Sequence, residues 1–257
     1  MNSKNLPVIF LSHGSPTIAI EPDNPTVKFW QEITKSIRKP KLILIMSAHW
    51  ETAEPTITSN PQPETIHDFH GFPESMYTIN YPATGATEFA KKLGAELNLD
   101  IDPTRGLDHG SWVPLRSMYP DADIPIIQLS ICPSKTFKWH LDFGKQFSEL
   151  SKQNVLIIAS GGISHNIRSL RWHEPDAVEL WTEEFLEDIH QKLMAEDFTN
   201  LCNPESLAHG KLGIPTPDHY LPFLFAIGAG LGRKKQRLFN KINYGTLGMQ
   251  CYSFGRE

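Results

Sequence analysis

Four short stretches of the chain are apolar runs bounded by turn residues: positions 7–11, 42–46, 124–129 (broken only by Gln128) and 155–159. Runs of this length without alternation predict strands buried on both faces, as in a parallel sheet. Between them, apolar positions recur at helical spacing. Val27, Phe29, Trp30, Ile33 and Ile37 mark one helix over 26–37, and Phe89, Ala90, Leu93 and Leu97 a second over 87–97. Segments 137–150 and 177–194 follow the same period. Strand and helix alternating in this way predict an α/β domain, with a largely parallel or mixed central sheet flanked by helices. Segments 238–242 and 248–254 predict short late or edge strands. Residues 51–83 break the rhythm. They are rich in proline, lack periodicity and embed Ile66-His67-Asp68-Phe69-His70-Gly71-Phe72-Pro73. A long loop folding over the end of the sheet is expected there, and such loops usually carry function. No repeat, linker or compositional break divides the chain, so one domain over 1–257 is expected.

Composition narrows the function classes. The 257 residues carry 24 Lys+Arg against 29 Asp+Glu, a formal charge of −5. That balance offers no footprint for nucleic acid or an anionic membrane. The one dense basic run, Arg233 to Arg237, is expected to be a solvated loop. No apolar stretch is long enough for a membrane span. The residues before the first strand lack the features of a signal peptide. Three cysteines without Cys-x-x-Cys spacing point away from a disulfide framework and a cysteine zinc site. The cytosol is the default compartment, and a monomer or small homo-oligomer the default state.

Eleven histidines are many for this length, and their placement matters more than their number. His13, His49 and His165 each sit at or just beyond the carboxyl end of a predicted core strand, where open α/β sheets bind ligands. His109, in Leu107-Asp108-His109-Gly110-Ser111-Trp112-Val113-Pro114, and His219, in Pro217-Asp218-His219-Tyr220-Leu221-Pro222, sit at predicted helix starts, with Asp218 a candidate cap. Neutral imidazole is a common ligand for Zn and also suits Fe and Cu. Two or three strand-end histidines plus one more donor would make a mononuclear site with open positions, and open positions favour catalysis. The remaining imidazoles would then be acid–base candidates. His67 and His70, in the loop, are candidate substrate contacts, and Tyr220, Trp50 and Phe72 candidate pocket walls. His140, His173, His190 and His209 are expected at the surface, and Cys132 as a structural thiol.

Taken together, Ser12-His13-Gly14-Ser15-Pro16, Ser47-Ala48-His49-Trp50, Ile66-His67-Asp68-Phe69, Asp108-His109-Gly110-Ser111-Trp112, Ser164-His165-Asn166 and Pro217-Asp218-His219-Tyr220-Leu221-Pro222 follow a familiar order. Over nearly its whole length the chain resembles the class III extradiol ring-cleavage dioxygenases, in the branch of 4,5-DOPA dioxygenase-like proteins. The resemblance implies one non-haem metal at the carboxyl ends of the strands. It implies Fe(II)-dependent cleavage of a DOPA- or caffeate-like catechol by O₂ to an open-chain semialdehyde. His13 and His49 match the family's two histidine ligands. His219 stands where the wider family supplies a carboxylate. His165 matches the active-site base and in this branch also approaches the metal. His109 matches the second active-site histidine, which orients substrate or acts as acid. An all-histidine set suits Zn(II) as well as Fe(II), so purified protein is expected to be able to carry zinc. A zinc hydrolase and a non-enzymatic metal- or aromatic-ligand-binding protein stay open as alternatives.

Overall fold

A computed structural model of the chain describes residues 5–255. The first four residues, part of the stretch read for a signal peptide, lie outside it. In chain order the elements are β1 (Val8–Ser12), α1 (Pro25–Lys35), β2 (Leu42–Glu51), β3 (Thr56–Thr58), α2 (Thr87–Leu97), β4 (Asp100–Asp102), α3 (His109–Met118), β5 (Ile126–Ile131) and α4 (Phe137–Lys145). There follow β6 (Val155–Gly161), α5 (Leu180–Met194), α6 (Phe198–Leu201), α7 (Gly210–Gly213), α8 (Leu221–Ala229), β7 (Lys235–Phe239), β8 (Ile242–Asn243), β9 (Leu247–Gly248) and β10 (Cys251–Phe254).

Among the described residues eight strands form one sheet in the order β4-β3-β5-β2-β6-β1-β10-β7. The central four, β5, β2, β6 and β1, are mutually parallel. Antiparallel pairings join β3 to β5 and β10 to β1, so the sheet is mixed at its flanks. Successive residues of a strand face opposite sides, and here both sides are core. Val8, Phe10, Leu42, Leu44, Met46, Val155 and Ile157 pack into one apolar layer with α4, α5 and α8. Ile9, Leu11, Ile43, Ile45, Leu156 and Ile158 pack into the other with α1 and α3. Double-sided burial is why these strands read as unbroken apolar runs. Helix α8 is buried all round, and α1 is fixed at its start by the Asn24 side chain and Pro25.

Three expectations are corrected. The proline-rich segment is not wholly loop: Thr56–Thr58 enters the sheet between β4 and β5. The basic run is not a solvated loop, because it leads into edge strand β7. There Lys235 pairs with Glu196 and Arg237 with Glu187, and charged residues on an edge discourage pairing with other chains. The late strand expected over 248–254 is present as β10, lying inside the sheet between β1 and β7. Last, His140 is fully buried. Its Nδ1–H donates to Thr136 O and its Nε2 accepts from the Cys132 amide. Both nitrogens are satisfied as a neutral ring, and burial holds its pKa down at about 4. His173 and His209 are exposed and His190 half-buried. Among the described residues no helix is long and apolar enough to cross a membrane.

Candidate metal centre

Five of the predicted histidines converge on one cavity of about 170 Å³ at the carboxyl edge of the parallel strands: His13, His49, His109, His165 and His219. His13 follows β1 directly and His49 lies near the end of β2. His109 is the first residue of α3, whose start is capped by the Asp108 side chain. His165 follows β6, and His219 precedes α8. The backbone of His219 is drawn onto the sheet, its carbonyl accepting from the Gly162 amide at 2.9 Å. This approach requires glycine at 161, where a Cβ would stand 2.3 Å from that carbonyl oxygen.

The rings crowd closely. Centroids of His13, His49 and His219 lie 4.9–5.2 Å apart, and His49 and His109 only 3.9 Å apart. His165 stacks on His219 at 3.4 Å and 9°. Potential ligand atoms of His13, His49 and His109 all fall within 4.8 Å of one another, as do those of His165, Asp218 and His219.

Hydrogen-bond partners assign the protons. The Ser160 hydroxyl donates to the Gly110 carbonyl. It therefore accepts from His13 Nδ1–H, at 2.9 Å, and the inward Nε2 of His13 keeps its lone pair. Asp68 accepts the His109 amide at 2.8 Å and His109 Nδ1–H at 2.9 Å, and its Oδ2 also lies 3.5 Å from His49 Nδ1. Asp218 likewise accepts from His219 Nδ1–H. Outer partners of this kind orient metal-binding histidines and fix their tautomers.

The inward atoms fit a cation. His13 Nε2 and His49 Nε2 are 3.0 Å apart. With a carboxylate beside His49 Nδ1, both inward nitrogens present lone pairs, a repulsive arrangement that a shared cation relieves. His219 Nε2 is buried with no hydrogen-bond partner among the described residues, and a buried polar atom left so is costly unless something occupies it. Burial, reinforced by the neighbouring imidazoles, holds His13 and His49 far below the usual histidine range and His165 at about 3. All three are neutral near pH 7, as ligation demands. Burial works to raise the Asp68 and Asp218 carboxyls, yet bonds from His109 and His219 carry both below their usual values.

Residues 7–255 match the family described as the catalytic LigB subunit of aromatic ring-opening dioxygenase. The chain belongs to the LigB family. It is therefore an enzyme of the aromatic-ring-opening dioxygenase class. It is 38% identical to the 4,5-DOPA dioxygenase extradiol of Escherichia coli K12, over 99% of this chain and 97% of that protein. Identity to the protein of the same name from Portulaca grandiflora is 36%, over 95% and 94%. A crystal structure of an uncharacterized Escherichia coli K12 protein superposes with a TM-score of 0.83 at 33% identity, covering 97% of this chain and all of that one.

Around this LigB-family centre the other predicted residues are sorted by geometry. Phe72 lines the cavity. His67 does not line it; its Nε2 donates to Ile79 O and its ring packs near Phe69 and Trp112. Tyr220 is not a substrate contact either. One residue beyond His219 the chain turns its side chain into the core, where the hydroxyl donates to Leu201 O. Trp50 is buried beneath the Arg105 guanidinium. Asp218 does not cap α8, which has no side-chain cap. His70 is exposed.

Three supporting residues had no predicted role. Asp68 holds two histidines from the long loop. Asp108, fully buried and raised in pKa by that burial, accepts from Ser47 and Gln128 beneath the site. Ser160 left a trace in the sequence. Pro114, inside α3, has no N–H to give the Gly110 carbonyl four residues earlier. That oxygen needs another donor, and Ser160 supplies it.

Proposed function

We propose that this chain, acting as one catalytic domain, is an Fe(II)-dependent extradiol dioxygenase that opens a catechol ring. One ring carbon–carbon bond breaks, both atoms of O₂ are retained, and the product is an open-chain semialdehyde; no outside reductant is needed. The observation that carries this reading is the convergence of five imidazoles on one small cavity, with inward lone pairs fixed by outer hydrogen bonds. His13, His49 and His219 hold the metal, the orphaned Nε2 of His219 favouring it over His109 as the third donor. When bound, the metal supplies charge that acidifies the catechol hydroxyls and mediates electron transfer to O₂.

The chain's residues do the remainder. His165, neutral at pH 7 and held in place by stacking on His219, accepts a proton from a catechol hydroxyl. As the catechol becomes an anion, its charge strengthens the proton's hold on His165. His109, anchored at Nδ1 by Asp68, turns Nε2 toward the cavity to orient the substrate oxygen. The rings wall the reacting groups together, which supplies proximity. Replacing His165 with alanine should leave metal content intact and cut turnover by about 10²–10⁴-fold, the usual range for general base catalysis. Wild-type turnover in that variant would remove the base assignment. The all-imidazole donor set also favours a second reading, a zinc site that activates water. Oxygen uptake with a catechol separates the two.

A further inference from the structure

Resting on the catechol reading, the geometry points to a substrate whose ring carries an uncharged, apolar substituent rather than an amino-acid side chain. Beside the five imidazoles the cavity lining is mostly apolar: Phe72, Ile167, Leu170, Trp172 and Leu247 join Pro16, and Ser15 adds one hydroxyl. Among the described residues no Lys, Arg, Asp or Glu side chain lines it. Ile167 and Trp172 are 58% and 55% exposed, although large apolar side chains in this fold are mostly buried. Clustered exposed apolar groups at a pocket rim mark a binding surface. Trp172 packs near Tyr244, with ring centroids 5.4 Å apart, which limits its freedom and offers a ready face to an apolar group.

The surrounding charges favour the same class. The acids next to the cavity, Asp68 and Asp218, are engaged by His109 and His219. They are poorly free to receive a substrate ammonium and would repel a substrate carboxylate. Among the cations, Arg105 is bound by Asp108, and Arg171 by Glu174 and Glu179. Arg168 is exposed next to Ile167 but does not line the cavity. A zwitterionic substituent would find no charged partner in this lining and would gain nothing from its apolar groups. An alkyl or aryl substituent would cover Ile167 and Trp172 and gain by it.

Binding can be read without turnover. Zinc-loaded protein, titrated calorimetrically under nitrogen, should bind 4-propylcatechol about tenfold or more tighter than DOPA, and tighter than unsubstituted catechol. Trp172→Ala should remove most of the gain from the propyl group, bringing 4-propylcatechol and catechol to within about twofold of each other; Ile167→Ser should act in the same direction. Arg168→Ala should leave DOPA affinity unchanged. DOPA binding as tightly as 4-propylcatechol, or losing affinity selectively in Arg168→Ala, would overturn the inference while sparing the catechol reading. Failure of every catechol to bind would overturn both.

Discussion

Replacing Ser160 with alanine removes one hydroxyl that serves two partners. Ser160 is completely buried. Its oxygen accepts from His13 Nδ1–H, and its proton goes to the Gly110 carbonyl that Pro114 cannot serve. Without it, one buried donor and one buried acceptor are stranded, each costing about 1–3 kcal/mol. Stability of the metal-free fold should drop by about 2–6 kcal/mol, read as a lower urea midpoint at unchanged slope. Metal affinity should drop separately. His13 loses the partner that holds its inward lone pair in place, and loss of such an outer partner weakens binding by roughly 10–100-fold. Competition against a chromogenic chelator measures that directly. Pro114→Ala separates the two effects, since alanine at 114 restores an N–H for Gly110. In that background Ser160→Ala should cost about 1 kcal/mol less stability and still lose the full metal affinity. Unchanged metal affinity in Ser160→Ala, or its recovery by Pro114→Ala, would refute the assignment of His13's proton to Nδ1.

Two other outcomes follow from the hydrogen bonds of His140 and Asp68. His140 has a pKa of about 4 when folded and about 6.5 unfolded. Between those values the unfolded chain binds a proton that the folded one refuses, so stability is lost as pH falls from about 6.5 toward 4. The loss attributable to this ring is about 3 kcal/mol. With metal chelated, His140→Gln should be less stable at pH 7 but flatter over that window; curves parallel to wild type would contradict the buried neutral ring. Asp68→Ala should free His49 and His109 together, lowering turnover and metal affinity by about 10–100-fold. An effect on turnover alone would mean that only its bond to His109 matters.

Strands β1, β2, β5 and β6 were legible because each is buried on both faces and so is dominated by apolar residues, β5 being interrupted by Gln128 and Ser130. The polar continuation of β2 through Ser47, His49 and Glu51 hid its true length. Short flanking strands such as Asp100-Ile101-Asp102 are too polar to stand out from a loop. The five central histidines were legible because strand ends and helix starts at one sheet edge must meet. What surrounds them was not. Tyr220 neighbours His219 in sequence but points the opposite way, because at the start of α8 adjacent residues face different sides. His140 resembles a surface histidine until β5 and α4 bring Cys132 N–H and the Thr136 carbonyl to its two nitrogens. Asp68 joins His49 and His109 only once the proline-rich segment has folded back over the sheet.

The most direct test of ring opening by this centre is ¹⁸O₂ labelling. Protein purified anaerobically, stripped of metal and reloaded with Fe(II), would be given a 4-substituted catechol under ¹⁸O₂. Ring opening at this centre predicts oxygen uptake matching product formation, and a ring-opened product carrying label at both the aldehyde and the carboxylate. Aldehyde label is to be trapped before it exchanges with water. Absence of uptake in the iron form, together with product oxygen drawn from water in a zinc form, would contradict it.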